Sequence, residues 1–271
     1  MKHVILLLAF LGLMIKGKAQ HPPIFEGLRI DSTNFSLYDL PISLVKYTFR
    51  EPNINFLCIH DDEDTGVKAA FEYIKFSGGS IIDCQYGGAR NFLFYYNEEE
   101  FQTDPNSIYS NTGIIKGLEK YGRADREVVK NLKELSNTIL KKYSEKDPAY
   151  FFTLHNNADG GFGISSYLQG YELESYADSL HINFQMDNDD LVIVTDLALF
   201  NRLKLDNINV VLQSVDAPDD GTLSVYSMKK NIPYINVEVQ HGHFDENLRL
   251  IKIATKALLE TYPNIKHTST Q

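Results

Sequence analysis

Two histidines in this chain each stand where an apolar run gives way to polar residues. In Phe56-Leu57-Cys58-Ile59-His60-Asp61-Asp62-Glu63-Asp64-Thr65-Gly66 the run ends in His60, and four acids follow. His60 and Glu63 are three residues apart. In a tight turn or a first helical turn such positions face one point. An imidazole and a carboxylate so placed can hold zinc at about 2.0–2.2 Å. In Ala149–Gly161 a second apolar run ends in His155, followed by Asn156-Asn157 and a glycine-rich loop. A His60, Glu63, His155 set leaves a fourth position open, the pattern of a catalytic rather than a structural zinc site. The plainer reading makes His155 a hydrogen-bonded core histidine. It makes Asp61, Asp62 and Asp64 an acidic start that the next helix dipole favours.

Three further places carry polar groups next to strand-like runs. Glu238 lies between Val237 and Val239, and burying a carboxylate there needs a partner or a task. Burial raises its pKa, which suits a general base. His241 and His243 follow and read as loop histidines. Gly87-Gly88 permits a sharp turn before Arg90, whose guanidinium suits an oxyanion or carboxylate unless it is a plain surface arginine. Asp104-Pro105-Asn106 is a turn signal, with Asn106 either structural or substrate-binding.

The elements that must position these residues alternate along the chain. Strand-like runs occur at 44–49, 55–60, 80–85, 92–96, 150–155, 191–195, 209–212 and 234–239. Several are continuously apolar, as expected of strands covered on both faces. Helical periodicity marks 65–76, 126–143 and 246–261. The pattern predicts a single α/β domain: a mixed, mostly parallel β-sheet with helices on both faces. Sites in such sheets form at the strand ends.

Met1-Lys2-His3 is a basic start. The apolar run Val4–Met14, broken only by Gly12, and the small residues Gly17 and Ala19 complete the layout of a signal peptide over residues 1–19. The run is too short for a membrane span, which takes about 20 residues. Secretion or a periplasmic location follows as the expectation. Residues 20–42, with Pro22-Pro23, read as an irregular lead, and 43–265 as the domain. The 271 residues carry 36 acidic and 26 basic side chains, a formal charge of −10. That balance, with no basic run, argues against nucleic acid or an anionic membrane as partner. Export would permit a Cys58–Cys84 disulfide. Two buried thiols are the alternative.

The ordered set His60, Glu63, Arg90, Asn106, His155, Glu238 resembles that of the zinc carboxypeptidase superfamily of the funnelin type. Its compact spacing looks most like the succinylglutamate desuccinylase and aspartoacylase branch, over most of the chain from about Leu44 to the last helix. The resemblance implies a zinc-exopeptidase-like fold in which His60, Glu63 and His155 hold one zinc. Glu238 would activate water and shuttle its proton, and Arg90 would stabilise an oxyanion. The substrate would be a peptide or an N-acyl amino acid. The family often has Asn-Arg where this chain has Asn106-Ser107, and that arginine normally holds a substrate carboxylate. Arg123, Arg126 or Arg202 could substitute, and Tyr226 and Tyr234 could be pocket residues. The Ser107 departure also admits a catalytically inactive binding protein on the same fold. A serine hydrolase is disfavoured because no G-x-S-x-G elbow occurs, and a cysteine hydrolase because both cysteines lie within strands.

Overall fold

The computed structural model describes residues 24–51, 54–146 and 148–265. The expected signal peptide lies outside them. The chain begins with β1 (Arg29–Leu37) and β2 (Leu40–Phe49), an antiparallel hairpin. This corrects the expectation of an irregular lead for residues 29–42; residues 20–23 of that expected lead lie outside the described residues. β1 occupies the sheet edge and is largely exposed. Its sequence RIDSTNFSL therefore has no apolar face to betray it.

Next come β3 (Asn55–Cys58), α1 (Asp64–Ser77) and β4 (Gly79–Gln85). The short hairpin β5 (Phe92–Tyr96) and β6 (Glu99–Thr103) turns at Asn97-Glu98, both at positive φ, the conformation that favours such two-residue turns. Helices α2 (Asn111–Glu119) and α3 (Arg126–Tyr143) lead into β7 (Phe151–Asn157). Then follow β8 (Ala177–His181), β9 (Leu191–Val194), α4 (Leu197–Lys204), β10 (Val210–Gln213), α5 (Leu223–Lys230), β11 (Tyr234–Gln240) and α6 (Phe244–Thr261).

Among the described residues, nine strands form one sheet in the order β1-β2-β4-β3-β7-β11-β9-β10-β8. Its centre, β4-β3-β7-β11, is parallel throughout, and antiparallel pairings occur toward both edges. The single α/β domain with a mixed sheet, parallel at its core, agrees with the sequence reading. One face packs against α1, α4 and α6, with Phe56, Phe71, Phe152, Ile235 and Leu250 among the buried side chains. The other packs against α2, α3, α5 and the small hairpin, through Leu57, Phe92, Leu132, Phe151 and Tyr234. Successive strand residues therefore go to opposite cores. Full burial of each such side chain contributes roughly 1.5–3 kcal/mol. Cys58 and Cys84 are free and sit in opposite cores, so no disulfide joins them. A third, smaller cluster, Ile164, Tyr167, Leu191, Ile193 and Val211, seats the loop after β7 on the sheet. No helix among the described residues is long and apolar enough to cross a membrane.

Candidate metal centre

Because the central strands are parallel, their carboxyl ends share one edge. There β3 delivers Ile59-His60, β4 delivers the loop with Arg90, and β7 and β11 carry His155 and Glu238 in register as cross-strand partners. His155 is not the last residue of its strand, since β7 continues through Asn157. The turn after His60 is held by Glu63 N–H donating to the His60 carbonyl. It puts Glu63 beside the imidazole it was expected to join.

His60, Glu63 and His155 are 2%, 3% and 3% exposed. His60 Nδ1 and His155 Nδ1 face each other at 3.1 Å. Glu63 Oε1 lies 3.0 Å from His60 Nδ1, and Glu63 Oε2 lies 3.0 Å from His155 Nδ1. Three donor atoms from two distant parts of the chain thus converge on one point. Two imidazole nitrogens in contact need a shared proton or a shared cation between them, and the facing carboxylate favours positive charge. Two histidines and a carboxylate are also a donor set that zinc takes, with a position to spare. The residues fit a zinc ion.

Asp104 completes the arrangement, and the sequence reading treated it only as the start of a turn. Its Oδ1 accepts from the Asn106 N–H and lies 2.8 Å from His60 Nε2. A carboxylate on the far nitrogen of a ligand histidine fixes the tautomer and turns Nδ1 inward. The signal was present in Asp104-Pro105-Asn106, but the turn preference of Asp accounted for it fully. Burial pushes the His60 pKa down; the Glu63 charge and hydrogen bonds to Asp104 and Glu63 outweigh this and hold it at about 10. Burial opposes ionisation of Asp104 too, but its bonds to His60 and Asn106 keep its pKa at about 2. Glu63 is likewise held well below the usual range by His60 and His155 against the effect of burial. These groups are matched to one another and to positive charge.

Glu238 is 7% exposed, and its carboxylate accepts from Asn236 Nδ2. Burial raises its pKa to about 7, with the His155 charge opposing. Arg90 is half exposed and donates to Glu63 Oε1 at 2.6 Å. Its loop is anchored by Asp61, whose carboxylate accepts from the Tyr86 and Gly88 N–H groups. Asp61 therefore supports the Arg90 loop rather than capping α1. The N-terminus of α1 is met from another strand, where Asn156 Oδ1 accepts from Gly66 N–H.

A cavity of about 230 Å³ opens beside this cluster. His60, His155, Arg90, Asn106 and Glu238 all line it, together with Asp220, Tyr167 and Tyr176, which the sequence reading did not single out. Asn106 faces it while its Oδ1 accepts from the Leu223 N–H at the start of α5. Ser107 does not face it. Its hydroxyl donates to the Asp104 carbonyl and packs under Gly117 of α2, where an added Cβ would lie 2.5 Å from Ser107 Oγ. The expected stand-ins do not reach the cavity either. Arg123 pairs with Glu99, Arg202 pairs with Asp206 and Glu260, and Arg126 opens α3 away from the lining. Tyr234 lines the cavity, whereas Tyr226 packs in the core against Phe151. His243 lies 3.5 Å from Asp190, and neither it nor His241 reaches the lining.

No family model matches this chain. No curated protein matches it either. Among solved structures it is similar to a succinylglutamate desuccinylase/aspartoacylase from Rhodobacter sphaeroides, at 12% identity over 90% of this chain and 67% of that one, TM-score 0.43. It is also similar to thrombin activatable fibrinolysis inhibitor, at 8% identity over 87% of this chain and 73% of that one, TM-score 0.47. A third is the ectoine utilization protein EutE from Ruegeria pomeroyi, at 12% identity over 92% and 71%, TM-score 0.41.

Proposed function

We propose that this chain is an exported zinc-dependent hydrolase that cleaves an amide bond in a peptide or an N-acyl amino acid. The observation that carries the reading is the convergence of His60 Nδ1, His155 Nδ1 and the Glu63 carboxylate within about 3 Å of one another at a cavity that Glu238 also lines. His60, Glu63 and His155 would hold the ion, and Asp104 would orient His60. Zinc held there supplies the Lewis acidity and the acidified water that amide hydrolysis at neutral pH needs.

The protein's own groups do the rest. Glu238 takes a proton from the attacking water and returns it to the departing amine. Burial raises its pKa from the usual carboxylate range in the metal-free chain, which favours holding a proton between the two transfers. Arg90 presents a positive charge at the cavity wall where oxyanion character would develop. Tyr167 and the loop from 158 to 176 narrow the site, which strengthens each charge interaction within it. Ser107, committed to its turn, provides no charge for a substrate carboxylate.

The test is metal analysis of the purified chain together with turnover. Near one equivalent of zinc is expected in the wild type, and His60→Ala loses it. Glu238→Gln retains the metal and loses hydrolysis of N-acyl amino acids and short peptides by at least about a hundredfold. Wild-type metal content in His60→Ala would sink the proposal.

A further inference from the structure

Outside the cavity, a second group of metal-donor side chains converges among the described residues. Asp187, Asp190 and His243 each bring one donor atom within 4.8 Å of the other two. None of the three lines the cavity. They come from two segments: the loop between β8 and β9 carries the aspartates, and His243 directly precedes α6. Backbone groups hold these segments in place. Gln240 N–H donates to Asp190 Oδ1 at 2.9 Å, tying the end of β11 to the loop. Asn209, 1% exposed, donates through Nδ2 to the carbonyls of both Asp187 and Asp190. Gly242 N–H donates to Thr65 Oγ1, which fixes the turn that presents His243. Asp189, between the two aspartates, is committed elsewhere: it accepts from Gly160 N–H and Asn188 Nδ2.

Two observations point to a ligand. First, Asp190 is 3% exposed, yet only one of its oxygens is satisfied. Oδ1 accepts from Gln240, while Oδ2 faces His243 Nδ1 at 3.5 Å, too far for a good hydrogen bond. Burial raises the Asp190 pKa, and Gln240 and His243 offset this only in part. A buried carboxylate oxygen turned toward a group it does not bond needs a partner. Second, the spacing is that of ligands around an ion. Donors held at about 2.0–2.2 Å from one metal lie roughly 3–3.6 Å apart, whereas a direct charge-assisted hydrogen bond would close the gap to about 2.7–2.9 Å. The charge agrees. Arg249, near enough to feel Asp190, gives two N–H donors to Glu246 instead. The amino end of α6 disfavours a cation, but Asp245 and Glu246 in its first turn counter that.

We propose that Asp187, Asp190 and His243 bind a second divalent ion, separate from the one at His60, with water completing its coordination. An imidazole in the donor set selects a first-row transition ion such as zinc over calcium or magnesium, which take oxygen ligands. The ion would clamp the loop before β9 to the start of α6. Asp189 beside it holds Gly160 of the loop after β7, and His243 follows on the strand that carries Glu238. Occupancy therefore stiffens two elements that frame the cavity. The inference goes beyond the hydrolase reading and does not depend on it.

The experiment measures zinc binding rather than turnover. Zinc is titrated against a chromophoric chelator into His60→Ala/His155→Ala protein, where the first centre cannot contribute. One site is expected, weakened at least tenfold by adding His243→Ala or Asp187→Asn, both at solvent-accessible positions. The ring signals of His243 should shift on zinc addition in NMR spectra, and millimolar magnesium should not displace the ion. A second comparison leaves His60 and His155 intact, so instability of the double variant cannot mask the answer: in excess zinc the wild type takes up one equivalent more than His243→Ala does. No binding at millimolar zinc, uptake that His243→Ala leaves unchanged, or displacement by magnesium overturns the proposal. Metal lost on His243→Ala but retained on His60→Ala would refute the zinc-hydrolase reading and leave this site standing.

Discussion

Removing the Asp104 carboxylate should weaken zinc without removing a ligand. Asp104 Oδ1 lies 2.8 Å from His60 Nε2, and the imidazole is 2% exposed. A hydrogen bond to a charged group contributes roughly 1.5–3 kcal/mol. Loss of such an outer partner typically lowers metal affinity by about 10–100-fold, and each tenfold corresponds to about 1.4 kcal/mol. The two routes agree. The Asp104 side chain is 34% exposed, so water can partly replace it and the effect belongs near the lower bound. Asp104→Ala is expected to weaken zinc about tenfold. Asp104→Asn should fall between Ala and wild type, because its amide oxygen still accepts from His60 and from the Asn106 N–H. The assay is competition against a chromophoric chelator, with circular dichroism confirming the fold. Wild-type affinity in a folded Asp104→Ala protein would refute the positioning role. Complete loss of metal would refute it differently, by showing that Asp104 acts as a ligand.

Zinc must displace the proton held by His60, whose pKa in the metal-free chain is about 10. Zinc affinity is therefore expected to rise with pH throughout the neutral range, as chelator competition at several pH values would show. The same raised pKa stabilises the metal-free fold fully below about 6.5 and progressively less as pH rises through 10. Urea titrations should show that decline, and His60→Ala should flatten it. Gly221→Ala would place a methyl group 2.1 Å from the Ser107 carbonyl oxygen at a positive φ. It should destabilise the fold by at least about 2 kcal/mol in urea denaturation. Because Cys58 and Cys84 are free and in opposite cores, reductant should leave the thermal midpoint unchanged.

The central strands and the three longest helices were legible in the sequence because each has a continuous or periodic apolar pattern, and burial is what writes such patterns. The elements that escaped notice lack them. β1 is a solvated edge strand; β6 and β8 are short and half exposed; α2, α4 and α5 are two-turn helices with caps at Ser110, Asp196 and Thr222. His60, Glu63, His155 and Glu238 could be nominated from residue type, since a buried histidine or carboxylate demands a reason wherever it occurs.

Their meeting could not be read from the chain alone, because it depends on strand order. The pairings of β3 with β7 and β7 with β11 close a gap of 95 residues between His60 and His155 and set Glu238 beside His155. Asp104 was invisible for the same reason, since an aspartate at a turn is ordinary in sequence. Only tertiary structure shows which way each polar atom faces and whether another atom answers it. The sequence by itself determined an α/β sheet with buried strands and nominated the histidines and carboxylates, since apolar patterns and out-of-place polar residues are both local. The tertiary structure decided that these residues meet and what surrounds them, because strand order and side-chain direction are set by packing across the whole sheet.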